Sequence, residues 1–323
     1  MSAELANPAV VESDPAARKI SGKALTKSVL TRVLHPAHLF QAMRLQINRK
    51  KNRHAHQDAQ LELYSQILPS EFLHLGYFDD PDRRPEDISL ADIVQAQNRY
   101  AELLLEQGAA SGKPTLDVGC GMGGLTRMLL ERGDEPTALT PDRLQAAHLR
   151  KTLPEVPLIH SKFERISPAD YAQRFGTIYT SESLQYLKLD LSLPIMKQIL
   201  APGGKWIACD FFHVCQSKDK SLHHWDDFAR KLTEHGWRIT FQRDITPHIL
   251  PTLAFVHMWA TRIGIPLMQF SFLRLRRKQP GLHHLLSNLF DSLLNVANSN
   301  IELIDPVLFA RQKRYVLAVM ERA

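Results

Sequence analysis

The 323 residues suffice for one large domain with additions or for two small ones, and an apolar content of 44% is that of a globular chain. Three cysteines (Cys120, Cys209 and Cys215) form neither a disulfide framework nor a metal-ligand spacing, which implies a reducing, cytoplasmic setting. The net charge of +6 is unevenly placed, and no apolar run is long enough to span a bilayer.

Residues 1–15 read as a polar leader without the apolar stretch of a signal peptide. Residues 16–53 follow with ten cations and no acid: Arg18, Lys19, Lys23, Lys27, Arg32, Arg44, Arg49, Lys50, Lys51 and Arg53. The remainder of the chain is therefore net negative. Within the segment Val29, Leu30, Val33 and Leu34, then Leu39, Phe40, Met43 and Ile47, recur at helical spacing. Such a basic amphipathic stretch suits peripheral contact with an anionic membrane surface, the phosphates of a nucleic acid, or a helix packed on the protein's own core.

A helix is expected over 55–68, ended by Pro69, and then a turn-rich aromatic loop over 73–81. A second helix is expected over 89–105. Ser89 is its N-cap with Asp92 three positions on, and Ile93, Ala96, Tyr100 and Leu104 share one face.

From Lys113 strands and helices alternate. Strands are expected at 115–118, 136–140, 158–163, 176–180, 205–211 and 237–244, with a last one at 314–321. That rhythm implies a mostly parallel sheet covered on both faces. Residues 246–312 are helical and apolar and far exceed a hairpin, so they are expected to form a cap over the strand ends. The boundaries expected are 1–54 (leader and basic segment), 55–110 (N-terminal helices), 111–245 (core), 246–312 (helical insertion) and 313–323 (terminal strand).

The most informative stretch is Thr-Leu-Asp-Val-Gly-Cys-Gly-Met-Gly-Gly-Leu at 115–125. An apolar strand ends in a carboxylate and breaks into close glycines, and a helix follows. Glycine lets backbone approach a ligand closely, and the helix start directs N–H groups at the same place. Gly119, Gly121 and Gly124 satisfy G-x-G-x-x-G, yet Asp117 would repel a pyrophosphate and the second strand lacks an acidic ribose reader. A carboxylate there suits a cationic ligand.

The run 117–124 closely resembles motif I of class I S-adenosylmethionine (SAM) methyltransferases, whose cofactor carries a sulfonium and an ammonium. The resemblance implies an α/β Rossmann-like sheet with N-terminal helices and a helical cap before an antiparallel last strand. It assigns Asp117 and the backbone of Gly119, Cys120, Gly121 and Gly123 to the methionine part of SAM. The run 138–144 is similar to the Thr-Leu-Ser-x-x-Gln form of the cyclopropane-fatty-acid-synthase-like and tocopherol-methyltransferase-like branch. Thr140 then stands at the ribose, with Asp142 as a substitute. Lys162 occupies the usual place of an acid for adenine, which leaves Phe163 to stack beside the base. Gln97 belongs to a stretch that resembles the branch's Glu-Ala-Gln helix, and Tyr77 to one that resembles its aromatic loop over SAM.

Ser181, Glu182 and Tyr186 follow strand four, which resembles the segment ending beneath the transferable methyl. Glu182, Tyr186 and His213 are the candidate catalytic groups, with Asp244 and His248 also near the cleft. Gln185 stands where the cyclopropane synthases have a bicarbonate-binding Glu, which makes methylene transfer the lesser alternative. The adjacent pairs His223-His224 and His283-His284 point to different sides of a helix, so no metal site is expected. The apolar insertion suits a lipophilic small acceptor of fatty-acyl, isoprenoid or polyketide-like type, methylated on carbon, oxygen or nitrogen. A nucleic-acid methyltransferase clamped by the basic segment and a non-catalytic scaffold are the alternatives. The first is disfavoured because Ser181-Glu182-Ser183-Leu184 replaces the Asn/Asp-Pro-Pro-Tyr/Phe of many base methyltransferases.

Overall fold

The computed structural model describes residues 35–37, 40, 70–108, 112–215 and 222–323. The helix expected at 55–68 and all but four residues of the basic segment lie outside them. The chain divides into two compact units, Met1–Arg53 with Met268–Ser292, and His54–Leu267 with Leu293–Ala323.

The second unit carries the sheet. Its elements are α1 (Leu90–Gln107), β1 (Pro114–Val118), α2 (Gly124–Glu131), β2 (Glu135–Leu139), α3 (Arg143–Thr152), β3 (Leu158–Ile159) and β4 (Phe175–Ser181). There follow α4 (Leu189–Ile199), β5 (Leu200–His213), α5 (Trp225–Glu234), β6 (Trp237–Asp244) and α6 (Thr246–Trp259). A π turn at Ala260–Gly264 joins α6 to α7 (Ile265–Lys278). The chain then runs through α8 (Pro280–Leu303) and α9 (Pro306–Gln312) to β7 (Lys313–Arg322).

The strand order is β3-β2-β1-β4-β5-β7-β6, with β7 antiparallel to both neighbours and the other pairs parallel. The alternation expected from the sequence is present, and so is the antiparallel last strand. The order reverses between β1 and β4, where the crossover helices leave on opposite faces and open a crevice at the strand ends.

Period-two alternation sorts the strand residues between two cores. Leu116, Ile178, Trp206, Ala208, Val316 and Ala318 pack toward one face with Leu193, Met196 and Phe228 of α4 and α5. Tyr179, Ile207, Cys209, Tyr315, Leu317 and Val319 pack toward the other with Tyr100 and Leu104 of α1 and Ile249 and Leu253 of α6. α1 begins as the sequence predicts: the Ser89 hydroxyl accepts from the Asp92 amide, and the Asp92 carboxylate accepts from the Ser89 amide.

Two strands differ from expectation. β3 is only two residues long, because the chain turns at Ser161 into a 3-10 turn, Phe163–Arg165, that sends Phe163 into the core. β5 starts at Leu200 rather than at 205, since a register shift against β4 absorbs the Pro202-Gly203-Gly204 turn without ending the ladder.

In the other unit, Phe272 of α7 and Phe290 of α8 stack with centroids 4.4 Å apart. Leu282 is buried.

Candidate functional site

The site is built where β1, β4 and β5 end, beneath a strap of residues 70–78. After Val118 the chain enters the glycine turn. The Gly119 and Cys120 amides both donate to the Leu139 carbonyl, and the Gly123 amide donates to Cys120. Gly119 has φ of +76°, and a Cβ there would run into Ser183. The turn therefore needs glycine for both conformation and space. The Cys120 side chain packs with Ala138, Leu149 and Leu153, so that residue offers only backbone to the crevice. Gly123 caps α2 without any side-chain acceptor, leaving the first amides of that helix without a side-chain cap.

Asp117 is buried beneath the turn, where the Thr126 hydroxyl donates to it at 2.7 Å. Burial raises its pKa to about 6, and the Thr126 bond only partly counters this. A cation arriving at this carboxylate would relieve that penalty.

The strap is fixed at several points. Glu71 holds Arg127 of α2 through two bonds of 2.8 Å, and Phe72 and Leu73 lie against Gly124 and Gly121. Gln97 of α1 donates to the carbonyls of Phe72 (3.3 Å) and His74 (2.7 Å). That fixes the amide's orientation and leaves the buried Gln97 Oε1 without a partner among the described residues. The His74 ring packs at a tilt against Tyr100, centroids 4.0 Å apart, with its Nε2 likewise buried and unpartnered among them. Burial lowers the His74 pKa to about 4, so the ring is neutral at physiological pH. A buried carboxylate and an orphaned amide oxygen, with a glycine cradle between β1 and α2, fit an ammonium- and sulfonium-bearing ligand.

At the end of β4 the backbone of Glu182 takes a left-handed φ of +47°, a strain of about 1 kcal/mol outside glycine. Its carboxylate accepts from the Leu75 amide of the strap at 3.1 Å and from the Tyr315 hydroxyl of β7 at 2.5 Å. Tyr315 in turn lies 3.2 Å from the Tyr100 hydroxyl, which also takes part in bonds with Ser181 (3.2 Å) and the Cys209 carbonyl (3.3 Å). Burial raises the Glu182 pKa, while the Tyr315 and Leu75 bonds pull it back. Tyr100 and Tyr315 are fully buried, whereas Glu182 and Phe211 keep some exposure. Phe211 lies 5.9 Å from both Tyr315 and Phe309, so an aromatic wall stands beside the carboxylate.

Asp210, at the end of β5, was not anticipated. It is buried and accepts from the Phe211 and Gln185 amides, and burial together with the nearby Glu182 charge lifts its pKa to about 8. An acid embedded in the run Ala-Cys-Asp-Phe-Phe was its signal. Nothing local signals Tyr315, which meets Glu182 across 133 residues of sequence.

The other sequence candidates are placed as follows. The Thr140 hydroxyl, at the end of β2, donates to Gln145 at 2.6 Å, and Asp142 caps α3 through the Leu144 and Gln145 amides. The Tyr77 ring stacks on His248 at 4.4 Å and its hydroxyl accepts from Arg243, so β6 and α6 hold it. Phe72 and Leu73 lie over the turn. Phe163 is enclosed by the core rather than standing free beside the crevice. Tyr186 is 75% exposed. His213 is buried at the end of β5, where its backbone joins His223. Among the described residues no cluster of His, Cys, Asp and Glu has the makings of a metal site.

Residues 93–243 match the methyltransferase domain family. An O-methyltransferase of Pyrenophora dematioidea is 25% identical over 227 residues, covering 64% of this chain and 83% of that protein. Among solved structures, geranyl diphosphate C-methyltransferase from Streptomyces coelicolor A3(2) aligns with a TM-score of 0.55 at 16% identity, over 86% of this chain and 97% of that one. A cyclopropane synthase from Mycobacterium tuberculosis aligns with a TM-score of 0.55 at 15% identity, over 79% and 91%. These two likenesses establish the fold.

Proposed function

We propose that this chain, whose residues 93–243 match a methyltransferase domain family, is a SAM-dependent enzyme that methylates a lipophilic small molecule at an alkene carbon, with Glu182 accepting the proton that the acceptor loses. The observation that carries this reading is the Glu182 carboxylate, held by Tyr315 and Leu75 beside the aromatic wall of Phe211, Phe309 and Tyr315. Asp117, the turn at Gly119, Cys120, Gly121 and Gly123, and Gln97 are the residues that would hold the cofactor, with Thr140 and Ser181 at its borders. Bound there, SAM supplies an electrophilic methyl group.

Methyl transfer depends chiefly on holding donor and acceptor in line, which the strap and the aromatic wall favour by excluding water. An alkene that gains a methyl becomes a carbocation. Aromatic faces stabilise such a cation and a nearby carboxylate takes its adjacent proton. Glu182 suits that role because burial raises its pKa toward neutrality while two hydrogen bonds keep it oriented. The C-methyltransferase and cyclopropane synthase that share the fold are consistent with carbon as the attacking atom.

The test is incubation with methyl-labelled SAM and a panel of polyprenyl and unsaturated fatty-acyl compounds, followed by NMR of the labelled product. A new C–CH3 group supports the reading. Label found only as O–CH3 or N–CH3 removes the carbon assignment. Glu182→Gln is expected to bind SAM as the parent does and to lose about 10²–10³-fold in turnover.

A further inference from the structure

We propose that the helical hairpin of residues 268–292 is a docking surface for an anionic lipid bilayer. Its two helical stretches, the later part of α7 and the first half of α8, are held together by the stack of Phe272 on Phe290. Leu282, near the start of α8, is buried as well.

Beside these contacts stand large apolar side chains that are exposed. Phe270 is 57% exposed, Leu273 45%, Leu285 71% and Leu289 52%. Phe270 and Leu273 stand three apart on α7, and Leu285 and Leu289 four apart on α8, so each pair shares one helical face and forms an exposed apolar stripe. α7 then ends in Arg274, Arg276, Arg277 and Lys278, just before the turn at Gln279.

The charge pattern chooses the occupant. Residues 245–290 contain no Asp or Glu, and neither do residues 16–53 with their ten cations. The compact unit of Met1–Arg53 and Met268–Ser292 holds the whole of the second acid-free segment and all four of the hairpin's cations. A dissolved polyanion would satisfy those cations but leave Phe270, Leu273, Leu285 and Leu289 in water. A second copy of this chain would cover the apolar side chains while bringing like charges together. A bilayer surface with anionic headgroups meets both needs, because apolar side chains enter the acyl boundary as Arg and Lys stay at headgroup level. No helix among the described residues is long and apolar enough to cross a membrane, so the contact is interfacial.

The experiment is vesicle flotation of the full chain. Three proteins are compared: the parent, Phe270→Ser/Leu273→Ser/Leu285→Ser/Leu289→Ser, and Arg276→Gln/Arg277→Gln. Each is mixed with phosphatidylcholine vesicles or with equimolar phosphatidylcholine–phosphatidylglycerol vesicles. The parent is expected to float with the anionic vesicles alone and to be released by salt. The apolar variant should lose about tenfold or more in bound fraction, and the charge variant a smaller share. All three should retain the parent's SAM affinity, which shows that the sheet unit is folded. The paired variants Phe270→Ser/Leu273→Ser and Leu285→Ser/Leu289→Ser repeat the test one helix at a time. A parent that ignores anionic vesicles overturns the proposal, as does an apolar variant that floats equally well. A parent that is dimeric by light scattering, and becomes monomeric in the apolar variant without vesicles, assigns the surface to a second copy instead.

Discussion

The Tyr315 hydroxyl of the last strand donates to the Glu182 carboxylate at the end of β4, 2.5 Å away. It thereby ties the antiparallel strand of the sheet to the group proposed as the proton acceptor. The same carboxylate accepts from Leu75, so one side chain joins sheet and strap.

Tyr315→Phe removes the donor and leaves Glu182 with one bond. Hydrogen bonds to charged groups contribute about 1.5–3 kcal/mol, so urea unfolding at pH 7 should show a loss of that order. The Glu182 pKa should rise, since the lost bond favoured the ionised form. Carboxyl-carbon NMR of Glu182 checks this, and an unchanged titration would detach Tyr315 from the site.

Asp117 predicts how SAM affinity follows pH. Its folded-state pKa of about 6 lies above the ordinary value of 3.8, so folding disfavours the ionised form. The ligand-free protein therefore loses stability as pH rises from about 4 to about 6. A cationic ligand requires the ionised form, so its affinity should fall by about tenfold per unit as pH drops below about 6. Calorimetric titration between pH 5 and pH 8, read beside Asp117→Asn, tests it. A flat profile in the parent would remove Asp117 from SAM binding.

Two glycines of the turn should respond differently to alanine. Gly119 has φ of +76° and a Cβ there would collide with Ser183, whereas at Gly121, with φ of +57°, the nearest atom is Leu73 Cδ1 at 3.5 Å. Gly121→Ala should cost about 1–2 kcal/mol from backbone handedness alone. Gly119→Ala adds overpacking and should cost about 2–5 kcal/mol, with SAM binding lost. Thermal and urea unfolding of the pair measure the difference.

At the start of α1, Ser89→Ala leaves the Asp92 amide without its side-chain acceptor. A loss of about 0.5–2 kcal/mol is expected in urea unfolding, with little effect on SAM affinity because the cap lies two turns from Gln97.

Local chemistry determined much of this protein. The Ser89–Asp92 box starts α1, and a strand with Asp117 near its end followed by close glycines announces the glycine turn. The alternating elements imply a parallel sheet, because each of these signals acts between residues a few positions apart. The tertiary structure decided the rest. Tyr315 reaches Glu182 only because β7 inserts between β5 and β6. Phe163 enters the core because the chain turns soon after β3 ends at Ile159, and Tyr77 is held by His248 and Arg243, which offer it a stack and a donor. Those partners lie far along the chain, and no spacing rule within a segment encodes contacts that exist only once the sheet has closed.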